Sequence, residues 1–117
     1  MNESILQTIK DQLGLPEEET FYDSIIIVDI NSAFSILAQL GIGPSNGFAI
    51  TGNKEVWTDF FPDDHKLSMI RTYIYMKVRL MFDPPTSSMA INAMKDQIAE
   101  MEYRMNVIAD NGGGHDE

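Results

Sequence analysis

Two adjacent prolines, Pro84 and Pro85, separate two long stretches whose apolar residues recur at helical spacing, and this punctuation constrains the chain more than any other feature. Before them, Ile70, Ile74, Val78 and Met81 lie on one side of a helix, with Tyr73, Met76 and Leu80 beside them. The same stretch also contains an alternating row, Ile74, Met76, Val78, Leu80 and Phe82, which is the period of a half-buried strand. Length and punctuation decide for helix. About 20 residues run without a break from Asp63 or Asp64, either of which caps well after Pro62, to Phe82. Lys77 and Arg79 near the end complement the helix dipole, and Asp83, preceding a proline, is pushed out of the α region. The alternating row is then the mark of a helix buried on more than one side.

Beyond the prolines, DPPTSS forms a tight corner, with Thr86, Ser87 or Ser88 capping a helix that returns antiparallel. In it Ile91, Met94, Ile98, Met101, Met105 and Ile108 alternate threes and fours as in a coiled coil. Asn92, Lys95, Asp96, Glu100, Glu102 and Arg104 cover its other side, and NGGGHDE follows as a flexible, glycine-rich tail.

Upstream, Asn2 to Leu13 predicts a short helix with Ile5, Leu6, Ile9 and Leu13 near one face, Glu3 at its positive end and Gly14 as its stop. After the loop LPEEET, with Thr20 or Asp23 as candidate caps, Phe21 to Leu40 predicts a second helix ended by Gly41. Its apolar positions are Ile26, Ile30, Ala33, Phe34, Leu37 and Leu40; the β-branched run Ile25 to Val28 favours strand locally, but the segment is too long for one. Gly41 to Pro62 is irregular, with Phe48 to Thr51 a short extended piece and Val56 to Phe61 a single turn bringing Trp57, Phe60 and Phe61 together. The expected fold is all-α: a small four-helix bundle with a long C-terminal hairpin and an aromatic-bearing central loop. Residues 1–110 form one helical domain and 111–117 the tail.

Composition excludes several classes. The chain has no cysteine, so disulfides, thiolate metal sites and a cysteine nucleophile are absent together, which fits a reducing cytosol. A net charge of −10 is the wrong sign for gripping phosphate, although acidity also simply keeps a small domain soluble. No apolar run approaches membrane-spanning length and no signal-peptide pattern opens the chain, so a soluble intracellular product with no membrane partner is expected.

Three motifs invite chemistry. Asp63, Asp64 and His65 place carboxylates beside a histidine, but consecutive residues at a helix start diverge and no second ligand cluster completes a shell, so capping accounts for them better than a metal or hydrolytic site. The glycines of GIGPSNG follow no strand and precede no Gly-Lys-Ser/Thr, so they form no phosphate cradle. Eight methionines suggest an adaptable groove, yet methionine at helical spacing ordinarily fills core.

The hairpin TYIYMKVRLMFDPPTSSMAINAMKDQIAEMEYRMN, Thr72 to Asn106, resembles the head-tail connector (adaptor, or DNA-packaging) proteins of tailed phages. So do DSIIIVDINSAFSILAQLGIGP and the pair GFAITG and WTDFF, in the same order and approximate spacing. The resemblance implies a structural subunit without enzymatic activity or cofactor, forming a homo-oligomeric ring of twelvefold symmetry beneath the portal protein in the virion neck. It would be assembled in the host cytoplasm, bridge the portal to a stopper or tail-completion protein, and let double-stranded DNA pass through its lumen without specific binding. On that reading Trp57, Phe60, Phe61, Arg71, Tyr73, Arg79 and Arg104 are expected at the subunit interface, although aromatic anchors look the same in a core. The tail Asp110, Asn111, Gly112, Gly113, Gly114, His115, Asp116 and Glu117 is expected to pack on the portal. The competing classes are a small helical protein–protein interaction module outside a virion and a hydrolase centred on Asp63, Asp64 and His65.

Overall fold

A computed structural model describes residues 3–62 and 64–113, with the side chains of Asp64 and of 108–113 excepted. Its helices are α1 (Ile5–Leu13), α2 (Asp23–Gln39), the one-turn α3 (Trp57–Phe60), α4 (Asp64–Phe82) and α5 (Ser88–Gly113), so the bundle is all-α as the periodicity requires. The alternating row before the prolines is helical, and α4 is the helix the others share, packing on α1, α2 and α5. Leu67, Ile70, Tyr73, Ile74, Met76 and Val78 are all buried, which is why its apolar residues satisfy two periods at once. Met81 is the exception on the predicted stripe, lying 44% exposed at the open end of the helix.

Tertiary pairing moved two predicted boundaries. Helix α1 begins at Ile5 rather than Asn2, with Ser4 Oγ accepting from the Gln7 amide at 3.2 Å. Residues 3 to 5 are engaged elsewhere: the Trp57 amide donates to the Glu3 carbonyl at 3.3 Å, the Ile5 amide donates to the Glu55 carbonyl at 3.0 Å, and Ser4 bridges Val56. Helix α2 has no side-chain cap; Asp23, a candidate for that role, instead pairs with Lys10 Nζ at 3.0 Å. Gly14, in the left-handed conformation at φ 83°, ends α1 as expected.

At the corner, Ser87 Oγ accepts from the Ala90 amide at 3.2 Å and so caps α5. Arg79 closes α4 by donating to the Asp83 carbonyl and, at 3.1 Å, to the Tyr75 hydroxyl. Helix α5 does not stop at Asp110 but runs to Gly113, because glycines cost a helix least at its last positions. Its coiled-coil-like seam is only partly covered: Ile98 and Met105 are buried, whereas Ile91, Met94 and Met101 are half-buried.

Candidate interaction surfaces

The irregular section 41–62 is held by specific contacts. Asn31, in the middle of α2, clasps Ile50: its Nδ2 donates to the Ile50 carbonyl at 3.0 Å and its Oδ1 accepts from the Ile50 amide at 2.8 Å. A side-chain amide thus supplies the pairing that a neighbouring strand would, and Phe48 to Thr51 needs no strand partner. Asn31→Ala should cost about 1–2 kcal/mol, since it removes both bonds and strands two backbone groups. The check is amide hydrogen exchange, which should quicken at Ile50 well before the helices; unchanged exchange there would refute the clasp.

Phe34, Phe48 and Phe60 stack in one cluster with ring centroids 4.7 to 5.4 Å apart. Gly43 sits against it at φ +95°, and a Cβ there would lie 2.4 Å from Phe60 Cε1, so both backbone and space demand glycine.

Glu55 ties the loop to itself, its Oε2 accepting from the Thr51 amide and hydroxyl, each at 2.9 Å. Desolvation pushes its carboxyl up, but hydrogen bonds from its own amide, Thr51 and Gly52 outweigh this and hold it below the usual carboxylate value of 4.5. The folded carboxyl is therefore the stronger acid. Stability from it is present above pH 4.5 and falls as the pH drops through the folded value, because the unfolded chain takes up its proton first. Glu55→Gln should flatten that part of an acid unfolding profile; an unchanged slope would count against the loop bond.

The structure separates the residues expected at an interface into two groups. Trp57, Phe60 and Tyr73 are 0%, 3% and 0% exposed and pack within the chain's own core. Each has internal work that explains this. Trp57 Nε1 donates to Thr8 Oγ1 at 3.1 Å, and Phe60 fills the aromatic cluster. The Tyr73 hydroxyl donates to Glu102 Oε2 at 2.8 Å, bracing α4 to α5 beside Lys77. Burial and the Glu102 carboxylate push the Tyr73 phenol upward, so it stays a donor at any physiological pH.

The second group reaches the surface. Phe61 and Arg79 are half-buried, and Arg104 is exposed and pairs with Glu100 at 2.7 Å within its own helix. Arg71 pairs with Glu3 at 3.2 Å and lies 5.5 Å over the Trp57 ring. Phe61 directly follows α3, Arg71 and Arg79 stand on α4, and Arg104 stands on α5. His65 is exposed, while Asp63 and the Asp64 side chain lie outside the described residues. The side chains of the expected portal-binding tail, from Asp110 on, lie outside them too.

Sequence reasoning missed where apolar surface is left over. Phe21, Ile25 and Val28 are 78%, 51% and 62% exposed at the start of α2, and Phe21 stacks edge-on against Tyr22, which meets Phe82 in turn. On α4 and α5, Met69, Met76 and Met101 line an open groove. A β-branched run inside a helix was the available signal for the first, since such residues are costly on a solvated helix face. Among the described residues no helix is long and apolar enough to cross a membrane.

No curated protein and no solved structure matches the chain. A protein-family model described as phage connector protein matches residues 5–112, which takes in α1 to α4, the central loop and all of α5 but its last residue. The chain belongs to the phage connector protein family.

Proposed function

We propose that this protein is a head-tail connector subunit that forms a ring under the portal of a tailed phage, joining the portal to the next protein of the neck. The observation that carries this is the family match across residues 5–112, nearly the whole length of the chain. The role is structural rather than enzymatic and needs no cofactor. Two physical features support it. Large apolar side chains remain uncovered on the isolated subunit, as they would on a part designed to be one of several. A net charge of −10 suits a conduit that must not hold DNA, since a negative lumen repels phosphate. Twelvefold symmetry, the portal and a stopper or tail-completion protein as partners, residence in the virion neck and contact of the 110–117 tail with the portal belong to the same proposal.

The test is assembly. Full-length protein added to DNA-filled, portal-bearing particles that lack it should sediment with them in a fixed ratio to portal and let tails join. Particles that neither bind the protein nor gain tails from it would overturn the proposal.

A further inference from the structure

Helix α2 has an exposed side without charge. Its exposed residues include Ser24, Ile25, Val28, Ser32, Ser35 and Gln39, and none of its exposed residues is charged; its two carboxylates, Asp23 and Asp29, are half-buried instead. In a chain where 22% of residues are charged, a solvated helix face should carry some of them. Depletion of charge around protruding apolar side chains is what the centre of a protein interface requires. Ile25 and Val28, with Phe21 just before the helix, make a ridge about two turns long.

A groove of about 430 Å³ runs between α4 and α5, lined by Met69, Thr72, Met76, Gln97 and Met101, with the Glu100–Arg104 ion pair at its edge. It spans Met69 to Met76 on one helix and Gln97 to Arg104 on the other, again about two turns of each. At 100° per residue, Met69 and Met76 lie roughly 140–180° around α4 from Ile74 and Val78. Those two are fully buried in the core, and α2 is the helix on which α4 packs most extensively. The groove therefore opens on the side of α4 turned away from α2, and the ridge and the groove look in opposite directions.

We propose that the occupant of the groove is the α2 ridge of the next copy of this chain, Phe21, Ile25 and Val28 entering between Met69, Met76 and Met101. A convex and a concave apolar surface of matching length, back to back on one subunit, make a head-to-tail contact in which each copy leaves a free ridge and a free groove for its neighbours. Methionine suits the receiving side because its unbranched thioether adapts to aromatic and β-branched knobs. This pairing rests on the ring proposed above and assigns the faces that build it.

The absence of cysteine makes the contact directly testable. Full-length chains carrying Val28→Cys, Thr72→Cys or both are assembled on portal-bearing particles lacking the wild-type protein, treated with a short bis-maleimide and separated under denaturing conditions. Both positions are exposed in the subunit, so the substitutions should not disturb the fold. The double variant should give a ladder that runs past the dimer, each single variant monomers alone, and an equal mixture of the two single variants dimers and nothing longer. Dimers from either single variant alone would show a like-to-like contact and overturn the proposal, as would a double variant that loads onto particles without cross-linking. Failure of every variant and of the wild-type chain to load would instead overturn the ring itself. As a second measurement, Val28→Asp should lower loading about tenfold or more, the effect expected of a central apolar contact, with an unchanged melting temperature.

Discussion

Trp57→Ala should lower stability by about 3–5 kcal/mol, the cost of emptying a large aromatic site in a close-packed core. For a domain of this size that is a fall in melting temperature of roughly 10–20 °C. The estimate follows from the position of the ring. Trp57 is completely buried, its indole N–H is satisfied by Thr8 Oγ1, and the Thr8 hydroxyl donates in turn to the Ser4 carbonyl at 2.7 Å. The indole therefore joins the start of α1 to α3, with the Arg71 guanidinium over its face. Trp57→Phe should cost less, since it keeps most of the apolar volume and loses one hydrogen bond, leaving Thr8 with its bond to Ser4. Thermal unfolding followed by circular dichroism separates the two readings of this residue. A Trp57→Ala chain that melts where the wild type does, yet fails to assemble, would restore it to an intersubunit contact.

That outcome bears on what could be read from the sequence. The helices were legible because their signals are local: the spacing of Ile26, Ile30, Ala33, Phe34 and Leu37, the prolines at the corner and the glycine after Leu13 act within a few residues of where they stand. The division of aromatic residues between core and surface was not, because it depends on which elements meet. Tyr73 and Met81 lie on one predicted helix, yet one is fully buried and bonded to Glu102 on α5 while the other is left 44% exposed. Asn31 gave no signal at all; its clasp on Ile50 joins residues 19 apart and depends on the path of the central loop. The surfaces proposed for assembly, the ridge on α2 and the groove beside α4, were equally hidden. Each is defined by what the fold leaves uncovered, which no single helix determines.

Lys10 shows the same dependence most strongly, and its replacement is the other change with a large expected effect. It stands beside the apolar face of α1, four residues after Leu6 and three before Leu13, and the fold buries it to 1% exposure despite its charge. The burial is possible because the ammonium has two acceptors and a counter-charge: Nζ donates to the Glu19 carbonyl at 2.7 Å and the Glu17 carbonyl at 3.2 Å, and pairs with Asp23 Oδ1 at 3.0 Å. One cation thus gathers the loop LPEEET around itself and fastens the start of α2 to α1. Lys10→Ala should cost about 3 kcal/mol, since it removes buried methylenes, leaves two carbonyls without their donor and a carboxylate without its counter-charge. Lys10→Met, which keeps the stem, should recover part of that. Asp23 is about a quarter exposed, so water can replace part of what its carboxylate loses, and Asp23→Asn alone should cost less than either. Because the ammonium is shielded, the loss in Lys10→Ala should persist in concentrated salt, where a surface ion pair would already be screened. Denaturant unfolding of the four chains at low and high salt decides the matter. Equal stability of Lys10→Met and wild type would mean that the stem alone holds the loop. If the bonds matter as described, Lys10→Met should also loosen the segment that carries Phe21 and Tyr22, and with it the end of the ridge proposed to meet the neighbouring copy.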